Sequence, residues 1–158
     1  MDKADITMLD VVFDGYIKRL EERGWEVIDF DPEKMVLTVS QSYYYDNGYG
    51  LNGHYEVVVD VYLNDDKIEV FVDGDSYEEL AERIGEYEKE HPDLVELAWC
   101  NINPDRAGLG DRCEDCPAKE LCKSLSEGGD VPSEYYVILD DLIKYDIAEY
   151  VMESFPLP

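Results

Sequence analysis

Four cysteines, Cys100, Cys113, Cys116 and Cys122, are spaced C-x12-C-x2-C-x5-C within one short stretch of the 158-residue chain. A C-x2-C pair sets two thiolates around one centre across a tight turn, and four thiolates complete either a tetrahedral zinc site or a [4Fe-4S] cluster. Zinc ribbons usually present two short C-x2-C knuckles. Here the first gap is twelve residues and the last five, so zinc and iron-sulfur both stay open. A closed four-cysteine zinc site has no open coordination position and would brace the segment, whereas a cluster adds electron transfer. The plainer alternative makes Cys100, beside Trp99, a buried thiol and the other three incidental.

The second chemical feature is charge. The chain carries 39 acidic and 13 basic side chains, a formal net charge of -26. That excludes tight binding to nucleic acid through a basic surface. A folded surface on the order of 8,000 Å² spreads the excess to roughly one charge per 300 Å². Duplex DNA carries about one per 100 Å². Concentrated on one face, the acids would approach the charge density of a phosphate backbone. Asp46, the turn Asp65-Asp66, the turn Asp73-Gly74-Asp75 and the helical acids Glu78, Glu79 and Glu82 are the candidate partner-binding residues. Tyr49 joins them, because exposed tyrosines at a hairpin tip supply contact area at low entropy cost. Solubility alone, or adaptation to high salt, accounts for the same composition. The acidic turns do not form a calcium loop, which needs D-x-[DN]-x-[DN]-G and a closing Glu.

Other signals carry less. Gly48 to Gly53 matches G-x-G-x-x-G but lies between two predicted strands, where a dinucleotide site needs a strand and a helix. His54 and His91 have no nucleophile near them in sequence, so no catalytic residue is assigned and the chain is expected not to be an enzyme.

The run Arg112-Cys113-Glu114-Asp115-Cys116-Pro117-Ala118-Lys119-Glu120-Leu121-Cys122 resembles the cluster loop of iron-sulfur DNA glycosylases of the helix-hairpin-helix family. It is also similar to the tail of the iron-sulfur nucleases of CRISPR adaptation and of bacterial recombination repair. The likeness covers this run alone. The gap from Cys100 to Cys113 is longer than in the glycosylases, and no helix-hairpin-helix motif is present. It implies a ligand role for Cys113, Cys116 and Cys122, and by extension Cys100. In composition, the chain is similar to the small acidic inhibitors of phages and mobile elements, the anti-CRISPR and anti-restriction DNA mimics. That likeness implies a non-enzymatic protein occupying the basic groove of a nucleic-acid-binding enzyme, such as a CRISPR nuclease or restriction enzyme, with no direct nucleic-acid contact. The alternative is a small iron-sulfur or zinc protein serving electron transfer, redox sensing or a structural role.

These residues need elements to position them. Apolar residues from Ile6 to Arg23, among them Met8, Leu9, Val12, Tyr16 and Leu20, recur at helical spacing and predict one helix closed by Gly24. Trp25 to Phe30 and Met35 to Tyr45 read as strands. Val57, Val59, Val61 and Leu63 alternate as a third, and Ile68, Val70 and Val72 as a fourth, giving an antiparallel meander. Ser76-Tyr77-Glu78-Glu79 has the form of a capping box opening a helix that His91-Pro92 ends. Leu94 to Cys100 reads as a short strand. The Gly-, Asp- and Cys-rich stretch 100–131 reads as an embedded metal loop, and Pro132-Ser133 as the start of a last helix with Ile138, Leu142, Tyr145 and Met152 on one side.

The expectation is a single α+β domain over 1–158, with helices on one face of the sheet: helix, four-stranded meander, helix, strand, cysteine loop, helix. With 45% hydrophobic and 12% aromatic residues the chain has enough for a real core. No segment is apolar for the ~18 residues of a membrane span. Met1-Asp2-Lys3-Ala4-Asp5 lacks the order of a signal peptide, so a cytoplasmic protein without a membrane partner is expected.

Overall fold

Strict alternation of β-branched residues leaves little choice but a half-buried sheet. The computed structural model describes residues 3–106 and 111–158, and in it Val57, Val59, Val61, Val70 and Val72 are all buried while their strand neighbours are not. Full burial of each such side chain contributes about 1.5–3 kcal/mol. The strands are β1 (Glu26–Asp31), β2 (Val36–Asp46), β3 (Asn52–Tyr62), β4 (Lys67–Val72) and a two-residue β5 (Asp75–Ser76). They lie in the order β1-β2-β3-β4-β5. The pairing is antiparallel, with Val59 opposite Val70 and Phe30 opposite Leu37. With seven α-helices described beside this sheet, the chain is an α+β protein.

The expected first helix is two helices, α1 (Lys3–Val12) and α2 (Tyr16–Glu22). Asp14 and Gly15 both take left-handed backbone angles, with φ of 52° and 75°, and no α-helix passes through two such residues. The end of α1 is satisfied locally: Gly15 N–H donates to the Asp10 carbonyl at 2.6 Å, and Arg19 Nη1 donates to the Asp14 carbonyl at 2.6 Å. The break also resets the helical face. Met8 and Val12, expected to be buried, are exposed, while Leu9, Tyr16, Ile17 and Leu20 are buried.

A second correction concerns Leu94 to Cys100. This run is not a strand but the body of α4 (Pro92–Ile102), which follows α3 (Tyr77–Glu90). A short apolar run fits either element, and here Pro92 decides: at the first helical position its missing N–H costs nothing. Leu94, Leu97, Ala98 and Ile102 then repeat at helical spacing and are buried. The segment expected to be a loop is largely helical as well. It contains a 3-10 turn (Pro104–Arg106), α5 (Asp111–Glu114) and α6 (Lys119–Ser126), while its residues 107–110 lie outside those described. The last helix, α7 (Ser133–Ser154), starts where expected and buries Ile138 and Leu142. Among the described residues no helix is long and apolar enough to cross a membrane.

By its internal contacts the chain divides into two compact units. One comprises residues 1–43, 54–77 and 148–158; the other comprises 44–53 and 78–147. The first holds most of the sheet. Its core includes Leu20, Leu37, Val39 and Val59, with Trp25 and Phe155 meeting edge to face at 5.2 Å. The second holds the hairpin tip, α3 to α6 and most of α7, and all four cysteines.

Within the helical unit, Asp146 is half-buried, and burial raises its carboxyl above the ordinary value of 3.8. The folded state therefore holds this proton more firmly than the unfolded chain. Ionisation costs stability as pH climbs from the unfolded value through the raised folded one. Asp146→Asn should accordingly be the more stable protein at neutral pH, by a few tenths of a kcal/mol after allowance for partial exposure. The gain should shrink as pH falls through the raised folded value toward and below 3.8, where the carboxyl becomes protonated in both states. Chemical denaturation at pH 7 and pH 3.5 measures this, and an unchanged difference at the two pH values sinks it.

Candidate metal centre

The helical reading of residues 92–102 places Cys100 one turn beyond Leu97 on the same face of α4. Helix α4 packs against α6. On α6, Lys119, Cys122, Lys123 and Ser126 fall at i, i+3, i+4 and i+7, one face of the helix. Cys113 sits in α5, and Cys116 in the tight turn that follows it. Cys116 N–H reaches the Cys113 carbonyl at 3.4 Å, and Lys119 N–H donates to the Cys116 carbonyl at 3.1 Å. Ala118, buried, is the residue from which α6 starts, and Cys122 N–H donates to its carbonyl at 2.8 Å.

The result is one cavity of about 300 Å³ lined by all four cysteines, together with Leu97, Ala118, Lys119, Lys123 and Ser126. Cys113 and Cys122 are exposed, Cys100 and Cys116 partly buried, and none forms a disulfide. Cys100, far from the others in sequence, is thus brought to them by helix packing.

A single zinc ion with bonds of ~2.3 Å needs its four sulfurs about 3.8 Å apart. Among the described residues no three His, Cys, Asp or Glu side chains are gathered to hold one ion in that way. Four thiols around one cavity match the ligand demand of a [4Fe-4S] cluster, whose cysteine sulfurs stand farther apart than those of a zinc site.

Lys119 and Lys123 are the lining residues that the cysteine pattern does not reveal by itself. The signal for them is their spacing from Cys122 once α6 is recognised as a helix.

The nine candidate partner-binding residues are divided between the two units. Asp65, Asp66, Asp73 and Asp75 belong to the sheet unit; Asp46, Tyr49, Glu78, Glu79 and Glu82 belong to the helical one. All are exposed except Asp75, which is half-buried. Several have local structural work. Asp66 and Asp73 occupy left-handed turn positions with φ of 48°. Asp73 Oδ1 accepts the Glu56 N–H at 2.8 Å, and Asp46 Oδ1 accepts the Gly48 N–H at 2.8 Å. Asp and Asn tolerate such turn geometry better than other side chains, which accounts for part of the acid content without a partner.

The hairpin tip is tied down within its unit. Asn47 Oδ1 accepts the N–H groups of Tyr49 and Leu51, and Asn47 Nδ2 donates to the Asn101 carbonyl at 2.7 Å. The Tyr49 hydroxyl lies 3.4 Å from Asp105 Oδ1. Asn101 in turn donates to the hydroxyl of Tyr135, whose pKa burial pushes up. The residue following Cys100 is therefore held from two sides. Comparison of the chain with family models, curated proteins and solved structures finds no match.

Proposed function

We propose that this chain is a small iron-sulfur protein in which Cys100, Cys113, Cys116 and Cys122 hold a [4Fe-4S] cluster. The observation that carries the proposal is the convergence of all four cysteines, from three separate segments of the helical unit, on one cavity. When bound, such a cluster takes up and releases single electrons. The chain supplies the rest. Leu97 and Ala118 line the cavity with apolar surface, and the exposed Cys113 and Cys122 keep the site near solvent, where an electron partner can approach closely. The charge of -26 steers basic partners toward the molecule, with a rate that falls as salt rises.

The test is anaerobic reconstitution with ferrous iron and sulfide. A brown protein absorbing at about 400 nm, with about four irons per chain, is expected. Cys116→Ser should lose both colour and iron. A colourless protein that instead carries one zinc per chain, lost in the same variant, overturns the cluster and makes the site a structural one.

A second reading, imitation of a polyanion for the basic groove of a CRISPR nuclease or restriction enzyme, is supported by the exposure of Asp46, Asp65, Asp66, Asp73, Glu78, Glu79 and Glu82. It predicts that the protein displaces labelled DNA or guide RNA from such an enzyme at low salt. Reversing Glu78, Glu79 and Glu82 to lysine should abolish the competition. Equal competition by that variant removes this reading and leaves the cluster untouched.

A further inference from the structure

We infer that Lys119 and Lys123 set how easily the four-cysteine centre is reduced; the inference rests on the iron-sulfur reading of that site. Both lysines line the cavity that the four cysteines share. They lie one turn apart on α6, flanking Cys122, so the helix fixes them on the same side as that ligand.

Elsewhere in the described chain three cations pair with carboxylates, Lys67 with Glu69 at 3.9 Å, Arg83 with Asp141 at 3.3 Å and Lys144 with Asp140 at 3.2 Å, while Lys18, Arg19, Arg23, Lys34 and Lys89 show no ion pair. Among the described residues neither Lys119 nor Lys123 has an ion-pair partner. What sets them apart is the cavity they line and the sequence around them. Residues 106–126 contain four basic residues (Arg106, Arg112, Lys119, Lys123) and four acidic ones (Asp111, Glu114, Asp115, Glu120). The whole excess of 26 negative charges therefore lies outside this stretch.

The electrostatic consequence has a definite sign. A cluster ligated by four thiolates is an anion, and it gains one more negative charge when an external donor gives it an electron; no bond is made or broken. A nearby ammonium stabilises the reduced form more than the oxidised one, and so raises the reduction potential. The surrounding acidic excess acts in the opposite direction. Two unpaired lysines at the rim keep the centre reducible inside a strongly anionic protein. Both lysines are exposed, so the effect is screened by salt.

The experiment compares reconstituted wild type with Lys119→Gln, Lys123→Gln, the double variant and the charge-keeping Lys119→Arg and Lys123→Arg. Each is titrated anaerobically with dithionite and followed by absorbance and electron paramagnetic resonance. Each glutamine variant should lower the reduced-to-oxidised ratio at fixed potential on the order of tenfold, a midpoint ~59 mV more negative for a one-electron couple. The double variant should shift further, the arginine variants should titrate near wild type, and the glutamine shifts should shrink at ~1 M salt, where the Debye length is ~3 Å. Iron-loaded glutamine variants with the wild-type midpoint overturn the role of the lysines and leave the cluster standing. A wild-type protein that takes up no iron overturns the cluster, and the role of the lysines with it. The single variants carry the comparison if the double variant loads poorly.

Discussion

Tyr16→Ala should destabilise the protein by about 4 kcal/mol, the largest loss we expect from a single side chain in the sheet unit. The ring is 1% exposed in α2, and its hydroxyl donates to the Pro156 carbonyl at 2.7 Å, joining the first helices to the C-terminal segment. Burial raises its pKa well above the ordinary tyrosine value, so the hydroxyl remains a donor throughout the neutral range. Truncation removes both the packed ring and the donor. Tyr16→Phe keeps the ring and leaves the carbonyl without this partner, a cost of about 1 kcal/mol. Urea denaturation of the two variants separates the contributions. Equal losses would show that the hydroxyl, and not the buried ring, fastens the segment.

Asp141→Ala should cost about 2–3 kcal/mol in the helical unit. Asp141 is 6% exposed and accepts from Arg83 Nε and Nη2, both at 3.3 Å, and from the Tyr87 hydroxyl at 2.9 Å. Burial, reinforced by the hydrogen bond to this carboxylate, pushes the Tyr87 pKa up. Removing one member of a buried pair typically costs 3–5 kcal/mol, because the other charge stays behind uncompensated. The Arg83 side chain keeps 34% exposure, and solvent relieves part of that penalty. Asp141→Asn, which preserves an acceptor for Tyr87, should lose less than the alanine variant. Replacing Asp141 with leucine and Arg83 with methionine together should recover much of the loss, since no charge then remains to be desolvated. If the losses of the single Asp141→Leu and Arg83→Met variants simply add in the double variant, the two side chains are not coupled as their geometry indicates.

The sheet was legible in the sequence because alternation is a local code. Val57, Val59, Val61 and Leu63 can all be buried only as a strand with one face inward, and they are. The cysteine spacing singled out four residues that line one cavity, but not the way they meet. Reading Leu94 to Cys100 as a strand left Cys100 without a defined neighbour. As part of α4 it faces the cavity, because the helical turn places it above Leu97 and against α6. A short apolar run carries no period of its own. The proline that decided the matter was read as the end of one helix when it is also the first residue of the next. The break at Asp14-Gly15 was hidden for a related reason: apolar residues happened to keep helical spacing across two left-handed residues. Charge was the least legible signal. Composition counts Asp66 and Asp73 with every other acid, while the backbone uses them as turn residues, and only the dihedral angles distinguish the two uses.

Hairpin ends are ordinarily where a lineage can lengthen or trim a protein at small cost. The connection between β2 and β3 has given up that freedom, because Asn47 reaches 54 positions along the chain to the carbonyl beside Cys100. An added or deleted residue there would withdraw the amide and slacken the end of α4 that carries Cys100. Length variation in this corner of the molecule is thus coupled to the four-cysteine cavity, and drift in one would have to be matched by change in the other.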